Sequence, residues 1–341
     1  MSVRAELAKI AFYNIEACGY YAFAQPTKEQ FGGASTVLGD TLAWSAGKNF
    51  EDTLSPGSGD DAGTYLFDIC QNSGGDFLVT TWNEAASTNG RVASVPRQAT
   101  VGSGTVVMNK VSKNTIPGHA TYFWVIPSKN VLATVTFQHS QNGQSAFQKY
   151  MESYLKWSSS FVVRDPSDRT KIIGYSTSPG NPNTPALDLY PRFRTKAAVN
   201  QAHHKDLVDN YARITKVIRK TLLNLRSSDD LELWQRFLRR AHMSAVQPGG
   251  TKGVPIQYQV SKTVSRSELL TMIKAWKDSS RTRYEDYGFV LKGDPKVYWL
   301  SHSLIKDEIE LKVSRDNDEA VNGKSLIKAL HSRASHLLQL F

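Results

Sequence analysis

The sequence lacks several features that would assign it to a class at once. Its 341 residues include only two cysteines, Cys18 and Cys70, which excludes a disulfide-rich scaffold and a zinc site built from four cysteines. No apolar run approaches the length of about eighteen residues that a membrane-spanning helix needs. The first residues also lack the charged-then-apolar order of a signal peptide. We therefore expect a cytoplasmic protein with reduced thiols and without a membrane partner.

Common catalytic motifs are also missing. The sequence contains neither the GxxxxGK[ST] loop that cradles phosphates nor the GxSxG turn that presents a nucleophilic serine. None of its eight histidines forms an HExxH pair. ATP-driven and serine-hydrolase chemistry therefore lose their support, and we expect no cofactor.

The positive charge is concentrated in the second half of the chain. Residues 1–165 hold 12 lysines and arginines against 13 acidic residues, whereas residues 166–341 hold 29 against 18. The whole net charge of +10 thus comes from the second half. A positive electrostatic field of this kind attracts polyanions, which favours nucleic acid as the partner. We expect DNA before RNA, and an acidic protein is the alternative partner.

The pattern of elements predicts an α+β protein with two domains. Residues 1–164 form a near-neutral, strand-rich, two-layer domain, in which hairpins at 64–82 and 120–137 are covered by an amphipathic helix at 144–157. Residues 165–199 contain Pro and Asn and are interpreted as a linker region. Residues 200–341 form a basic, helix-rich α+β domain. The first domain would serve for homodimerisation or for docking of a protein partner.

The second domain is expected to begin with a helical hairpin over residues 200–243. Apolar residues recur at intervals of three or four, as on one face of a helix, beginning with Leu207, Tyr211, Ile214 and Ile218. Basic residues fall on the opposite face, where they would contact phosphates without reading sequence. The predicted nucleic-acid-binding residues are Arg213, Lys216, Lys220, Arg236, Arg239 and Arg240, with Arg192 and Arg194 at the margin.

One pattern favours an enzyme instead. Glu310-Leu311-Lys312, with Asp294 upstream, resembles the D…ExK arrangement of metal-dependent nucleases. Two carboxylates would hold Mg²⁺ and a lysine would help to activate water. Glu310 and Lys312, together with Lys306 and Glu308, are also typical of a charged edge strand that faces solvent.

The run from residue 119 to 158 has a characteristic order: aromatic strand, short turn, second strand, polar gap and helix. The strands read TYFWVI at 121–126 and VLATVTF at 131–137, and a basic second half follows. This layout resembles the phage-lambda Rex exclusion protein A and related prokaryotic anti-phage proteins. The resemblance implies a prokaryotic or phage protein that binds DNA in a host–virus conflict. Together with the charge, it gives our leading hypothesis of a non-catalytic nucleic-acid-binding protein.

Overall fold

The computed structural model describes residues 3–54, 63–85, 91–94, 107–112, 115–137, 143–178, 185–223, 254–261, 263–278 and 285–340. The predicted α+β class is confirmed, with strands dominating the N-terminal half. The chain divides into two compact units: unit 1 comprises Met1–Ala198 and Lys306–Leu340, and unit 2 comprises Val199–Ile305.

Unit 1 contains most of the strands. In chain order its elements are β1 (Val3–Ala22), β2 (Gln25–Gly32), α1 (Ala34–Ser45), β3 (Thr64–Gln71), β4 (Phe77–Glu84), β5 (Arg91–Ser94), β6 (Val107–Lys110), β7 (Gly118–Ile126), β8 (Val131–Thr136), α2 (Gln144–Trp157), β9 (Val162–Arg164), β10 (Ile172–Tyr175) and β11 (Tyr190–Ala197). Unit 2 contributes α3 (Gln201–Asp209), β12 (Ile214–Leu223), β13 (Val254–Ser261), α4 (Arg266–Asp278), β14 (Asp286–Leu291) and β15 (Asp294–Trp299). The chain then returns to unit 1 with β16 (Lys306–Ser314) and α5 (Gly323–Leu337).

The main sheet of unit 1 is antiparallel and has the order β11-β1-β8-β7-β4-β3, with β16 and β2 also paired to β1. Both hairpins predicted from the sequence are present, as β3–β4 and β7–β8. Each reads as a run of β-branched and aromatic residues between turn residues, which is why local pattern suffices to locate it.

Helix α2 covers one face of this sheet, as its periodicity predicts. Its buried stripe is Phe147, Tyr150, Met151, Tyr154 and Leu155. The ring of Phe147 stacks on Phe123 of β7 with centroids 4.1 Å apart. The core of unit 1 therefore forms between α2 and the alternate residues of the strands.

The C-terminal segment adds a third layer, which a two-layer prediction did not include. Helix α5 packs against β16, β3 and β4. The loop before it is fastened to β7, since the backbone N–H of Val321 donates to the hydroxyl of Tyr122 at 2.8 Å. Arg315 also donates to both carboxylate oxygens of Glu6 in β1, at 2.8 and 2.7 Å. Residues 306–340 thus belong to unit 1, whereas we predicted one domain over 200–341.

Much of the predicted linker region forms strands. Within residues 165–199, β10 pairs with β9, and β11 pairs with β1 over eight residues of register. Phe193 of β11 is 2 % exposed and joins the core of unit 1. Among the prolines of this range that the structure describes, Pro166 and Pro185 lie outside the strands, whereas Pro191 lies in β11 opposite Tyr20.

The predicted helical hairpin is wrong in its first half. Residues 201–209 form α3, but the chain then turns and continues as the strand β12. β-Branched residues at Ile214, Thr215, Val217, Ile218 and Thr221 favour the extended chain, because their side chains lose rotamer freedom in a helix. The second predicted helix, with Arg236, Arg239 and Arg240, lies outside the described residues.

Replacing Arg315 with alanine is expected to lower the free energy of unfolding by about 2 kcal/mol at neutral pH, because Glu6 would remain partly buried without its partner. The side chains of Arg315 and Glu6 are only 14 % and 20 % exposed. As a control, Arg194→Ala removes the exposed pair with Glu152 and should cost less than about 1 kcal/mol. Urea denaturation measures both.

The effect of Arg315→Ala should also depend on pH. The hydrogen bond from Arg315 holds the pKa of Glu6 below its usual range. A lowered folded-state pKa gives stability that is present above the unfolded value of about 4.3 and is lost as pH falls through the folded value. The difference between wild type and Arg315→Ala should therefore narrow in acid. A difference that stays constant down to strongly acidic pH would contradict this account.

Candidate nucleic-acid interface

Unit 2 is built on a small antiparallel sheet with the order β13-β12-β14-β15. β12 lies inside it and pairs with β13 on one side and β14 on the other. Because side chains alternate along a strand, the two faces of β12 carry different chemistry. Val217 and Arg219 point to one face, and Lys216, Ile218 and Lys220 point to the other.

The two described helices of unit 2 cover the same face of this sheet. Leu207 and Val208 of α3 pack in one cluster with Leu269, Ile273 and Trp276 of α4 and with strand residues Phe289 and Leu291. α4 begins with the predicted capping box, in which Ser265 and Glu268 exchange hydrogen bonds at 2.9 and 3.2 Å. No described helix of the unit lies on the opposite face, which we call the open face.

The open face combines polar and charged side chains with four apolar ones. Cross-strand register places its side chains, which are Lys216, Ile218, Lys220, Gln257, Gln259, Ser261, Asp286, Val290, Val297 and Trp299. Lys216 and both glutamines are exposed, whereas Ile218 is buried between the two lysines of its own strand. A surface of this kind can neutralise phosphates and offer amide groups to base edges.

The indole of Trp299 lies across the open face at a glycine. Gly288 pairs with Trp299 in the sheet, and a Cβ added at Gly288 would come within 2.9 Å of the indole ring and 2.7 Å of Val297. Only glycine leaves room for the ring to rest on the neighbouring strand. The ammonium of Lys220 lies 3.7 Å from the centroid of the same ring, a cation–π contact.

A buried carboxylate lies opposite Lys220 in the neighbouring strand. Asp286 is its cross-strand partner and is 3 % exposed. Its carboxylate accepts backbone N–H bonds from Tyr287 at 2.9 Å and Ser301 at 3.0 Å. Burial raises the pKa of Asp286, while the nearby charge of Lys220 acts in the opposite direction. Lys220 therefore lies over an aromatic ring and is paired in the sheet with a buried acid, whereas Lys216 is the exposed cation of β12 on this face.

The other predicted cations that the structure describes are Arg213, Arg192 and Arg194, and they lie outside the open face. Arg213 precedes β12 and donates to the side chain of Asn210 and the carbonyl of Lys292, at 3.3 and 3.2 Å. Arg192 and Arg194 belong to β11 of unit 1, where Arg192 donates to the carbonyl of Pro26 at 3.1 Å and Arg194 pairs with Glu152 at 3.3 Å. Of the predicted cations within the described ranges, the structure thus brings together only Lys216 and Lys220.

The residues of the nuclease alternative belong to different units. Asp294 opens β15 in unit 2, and its carboxylate accepts from the hydroxyl of Tyr298 at 2.5 Å, which lowers the pKa of Asp294. Glu310 and Lys312 lie in β16 of unit 1, both exposed and opposite Leu7 and Ala5 of β1. Among the described residues, no three histidine, cysteine or acidic side chains are grouped as a metal site would require. The nuclease reading stays an untested prediction.

Sequence reasoning missed Trp299, Gln257 and Gln259. Their signal was the alternation of polar and apolar residues in short strands, which becomes informative only once β12 is known to be a strand. Assigning β12 to a helix concealed that Lys216, Ile218 and Lys220 share a sheet face with residues some forty and eighty positions away.

Charge sets the two units apart. Residues 199–305 hold 18 lysines and arginines against 10 aspartates and glutamates, a net charge of +8 out of +10 for the chain.

Within the ranges that the structure describes, no helix is both long and apolar enough to cross a membrane. No family model, curated protein or solved structure matches this chain.

Gly288→Ala is expected to displace the Trp299 ring and to destabilise unit 2 by about 1–3 kcal/mol, because the added methyl group overlaps atoms of Val297 and Trp299. ¹⁹F NMR of fluorotryptophan-labelled protein would show the shift of the Trp299 resonance, identified with Trp299→Phe. Gly39→Ala in α1 is the control, since nothing lies within 4 Å of its added Cβ. An unmoved Trp299 resonance in Gly288→Ala would contradict the described packing.

Proposed function

We propose that the open face of unit 2 binds single-stranded nucleic acid without catalysing a reaction on it. The observation that carries the proposal is the ammonium of Lys220, which lies 3.7 Å over the ring of Trp299 on a sheet face that also presents Lys216. Cations beside an aromatic ring on an antiparallel sheet suit a strand whose phosphates meet the lysines and whose bases stack.

The flat sheet favours an unpaired strand over a duplex. In a duplex the bases stack on each other and present only their edges in the grooves, so an indole lying on a sheet has no base face to meet. An unpaired base can stack on Trp299 once the ammonium of Lys220 turns from the ring to a phosphate. The base can also exchange hydrogen bonds with exposed Gln257 and Gln259. The net charge of +8 in residues 199–305 adds long-range attraction for any polyanion.

The biological setting is part of the same proposal. The resemblance to the Rex exclusion protein A type supports DNA over RNA and a role in anti-phage defence in the prokaryotic cytoplasm. The near-neutral unit 1 would then provide contacts to a second copy or to a protein partner. An acidic protein bound by the basic unit 2 is the competing reading, and nucleic-acid titration separates the two.

The double variant Lys216→Ala/Lys220→Ala should weaken binding and flatten its salt dependence. Each phosphate contact to a single strand contributes about −0.7 to the slope of log affinity against log salt, so the slope should fall in magnitude by about 1.4. Fluorescence anisotropy with labelled single- and double-stranded DNA and RNA, across a salt series, measures both quantities. The wild-type protein should prefer single strands.

The matched control is Lys205→Ala/Lys274→Ala, which removes the same charge from exposed positions on α3 and α4. These helices cover the opposite face of the sheet, so only the general attraction should change. Equal losses in the two double variants would show that the open face has no special role. Absence of wild-type binding even at low salt would favour the acidic protein partner, and cleavage of the probe with added Mg²⁺ would favour the nuclease.

Trp299 should contribute through its ring. Trp299→Leu is expected to weaken single-strand binding about tenfold, because stacking on an aromatic ring is worth about 1–3 kcal/mol per base. Trp299→Phe keeps a ring and should retain most of the affinity. The same anisotropy titration tests both variants, and thermal unfolding checks that each remains folded. If Trp299→Leu and Trp299→Phe bind alike, bases do not stack at this position.

A further inference from the structure

A second surface of interest lies in unit 1, apart from the main sheet. A groove of about 460 Å³ opens between the C-terminal end of α2, the turn that precedes β10, and the chain that precedes β11. Its edges carry Lys156, Trp157, Lys171 and Asp188, and Tyr175 and Ile172 line it on the apolar side. The volume is in the range of small-molecule sites, about 300–1,000 Å³.

The shape of the groove depends on fixed backbone. Tyr175 and Leu187 exchange two backbone hydrogen bonds, at 3.0 and 2.8 Å. Gly174, which directly precedes Tyr175, has φ +152°, and a Cβ added there would lie 2.7 Å from the carbonyl oxygen of Leu187. A side chain at this position would push the two segments apart. The backbone pairing of Tyr175 with Leu187 therefore fixes the shape of the groove.

An arginine ties the end of α2 to the turn. The guanidinium of Arg164 donates to the carbonyls of Trp157 at 2.7 Å and Arg169 at 3.1 Å. In the same turn, the carboxylate of Asp168 accepts from the hydroxyl and the backbone N–H of Thr170, at 2.6 and 3.0 Å. These bonds keep Trp157 and Lys171 at the edges of one groove.

The side chains at the edges of the groove are complementary to a ligand that carries an anionic group and a planar ring. Lys156 and Lys171 are exposed cations, and the indole of Trp157 is 36 % exposed with the ammonium of Lys156 at 4.8 Å from its centroid. Ile173, 44 % exposed, adds apolar surface next to the groove. Exposed Asp188 offers an acceptor for hydroxyl or amino groups.

We propose that this groove binds a nucleoside phosphate. The base stacks on the indole of Trp157, the phosphate meets the ammonium groups of Lys156 and Lys171, and Asp188 accepts from the ribose hydroxyls or an exocyclic amine. A nucleoside phosphate combines the three groups that the edges complement: a planar ring, an anion and several hydrogen-bond donors. The site lies wholly in unit 1 and does not depend on the strand-binding face of unit 2.

Isothermal titration of the full chain tests the site, with the monophosphates AMP, GMP, CMP and UMP as probes and with adenosine and inorganic phosphate as partial probes. At least one monophosphate should bind about tenfold more tightly than either part alone, because it makes the ring contact and the phosphate contacts together. Lys171→Ala and Trp157→Ala should each raise the Kd of that monophosphate about tenfold. Trp157→Phe should restore most of the affinity.

Lys48→Ala is the matched control. Lys48 lies 5.1 Å over the ring of Trp44 in the same unit, so it reproduces a cation beside an indole outside the groove. It should leave the Kd unchanged. If Lys48→Ala and Lys171→Ala raise the Kd equally, the effect comes from the general positive charge of the protein, and the proposal is overturned. Inorganic phosphate binding as tightly as the best monophosphate, or no monophosphate binding to the wild-type protein, would overturn it as well.

Discussion

The fold of unit 1 depends on the pairing of one strand along both of its edges. β1 spans twenty residues, and its two sides pair with four other strands. β16 and β11 follow each other along one side, while β8 and β2 follow each other along the other. Near the end of β1 the chain passes so close to β2 that Gly19 and Gly32 are required, since a Cβ at Gly19 would lie 2.5 Å from the carbonyl of Phe31.

This arrangement explains how a second unit can be inserted without disrupting the first. β11 ends with Ala197 opposite Tyr13, and β16 begins with Lys306 opposite Ala11. The chain therefore leaves and re-enters the sheet at neighbouring positions of the same strand. Insertions are tolerated where the two ends lie close together, because the host then keeps its own pairing and core. Arg315 and Glu6 reinforce the return of the chain at its far end.

The sequence predicts the elements whose signal is local. The helix at 144–157 and the hairpins around 64–82 and 120–137 combine clear periodicity with turn residues, and each is found where the pattern places it. β12 was wrongly predicted as a helix because its buried residues match a helical spacing. Ile214 and Ile218 are four residues apart, a spacing that puts two side chains on one face of a helix. In β12 an irregularity between Ile214 and Lys216 instead places Ile214 in the helix-covered core and Ile218 on the open face. Its β-branched residues were the signal that should have decided the question.

The remaining differences arise from pairing between distant segments. No local pattern shows that β16 returns to β1 across some three hundred residues, so the C-terminal segment was assigned to the wrong unit. Its composition could not reveal this either, because residues 306–341 carry six basic and six acidic side chains and contribute no net charge. The prediction of a basic second half was correct in sum, yet most of its net charge, +8 of +11, lies in residues 199–305.

The open face of unit 2 needs an explanation beyond solubility. A four-stranded sheet with helices on one side must keep its other side compatible with water, and glutamine or serine at alternate positions would suffice. β13 follows this solution, with exposed Gln257, Gln259 and Ser261. β12 and β15 do not, because an indole rests there over a glycine, and a lysine lies over that indole and opposite a buried carboxylate. Fixing a cation against an aromatic ring restricts a flexible side chain, which costs rotamer entropy. A binding surface that must meet phosphate and base in a defined geometry accounts for that restriction, whereas a merely hydrated face does not.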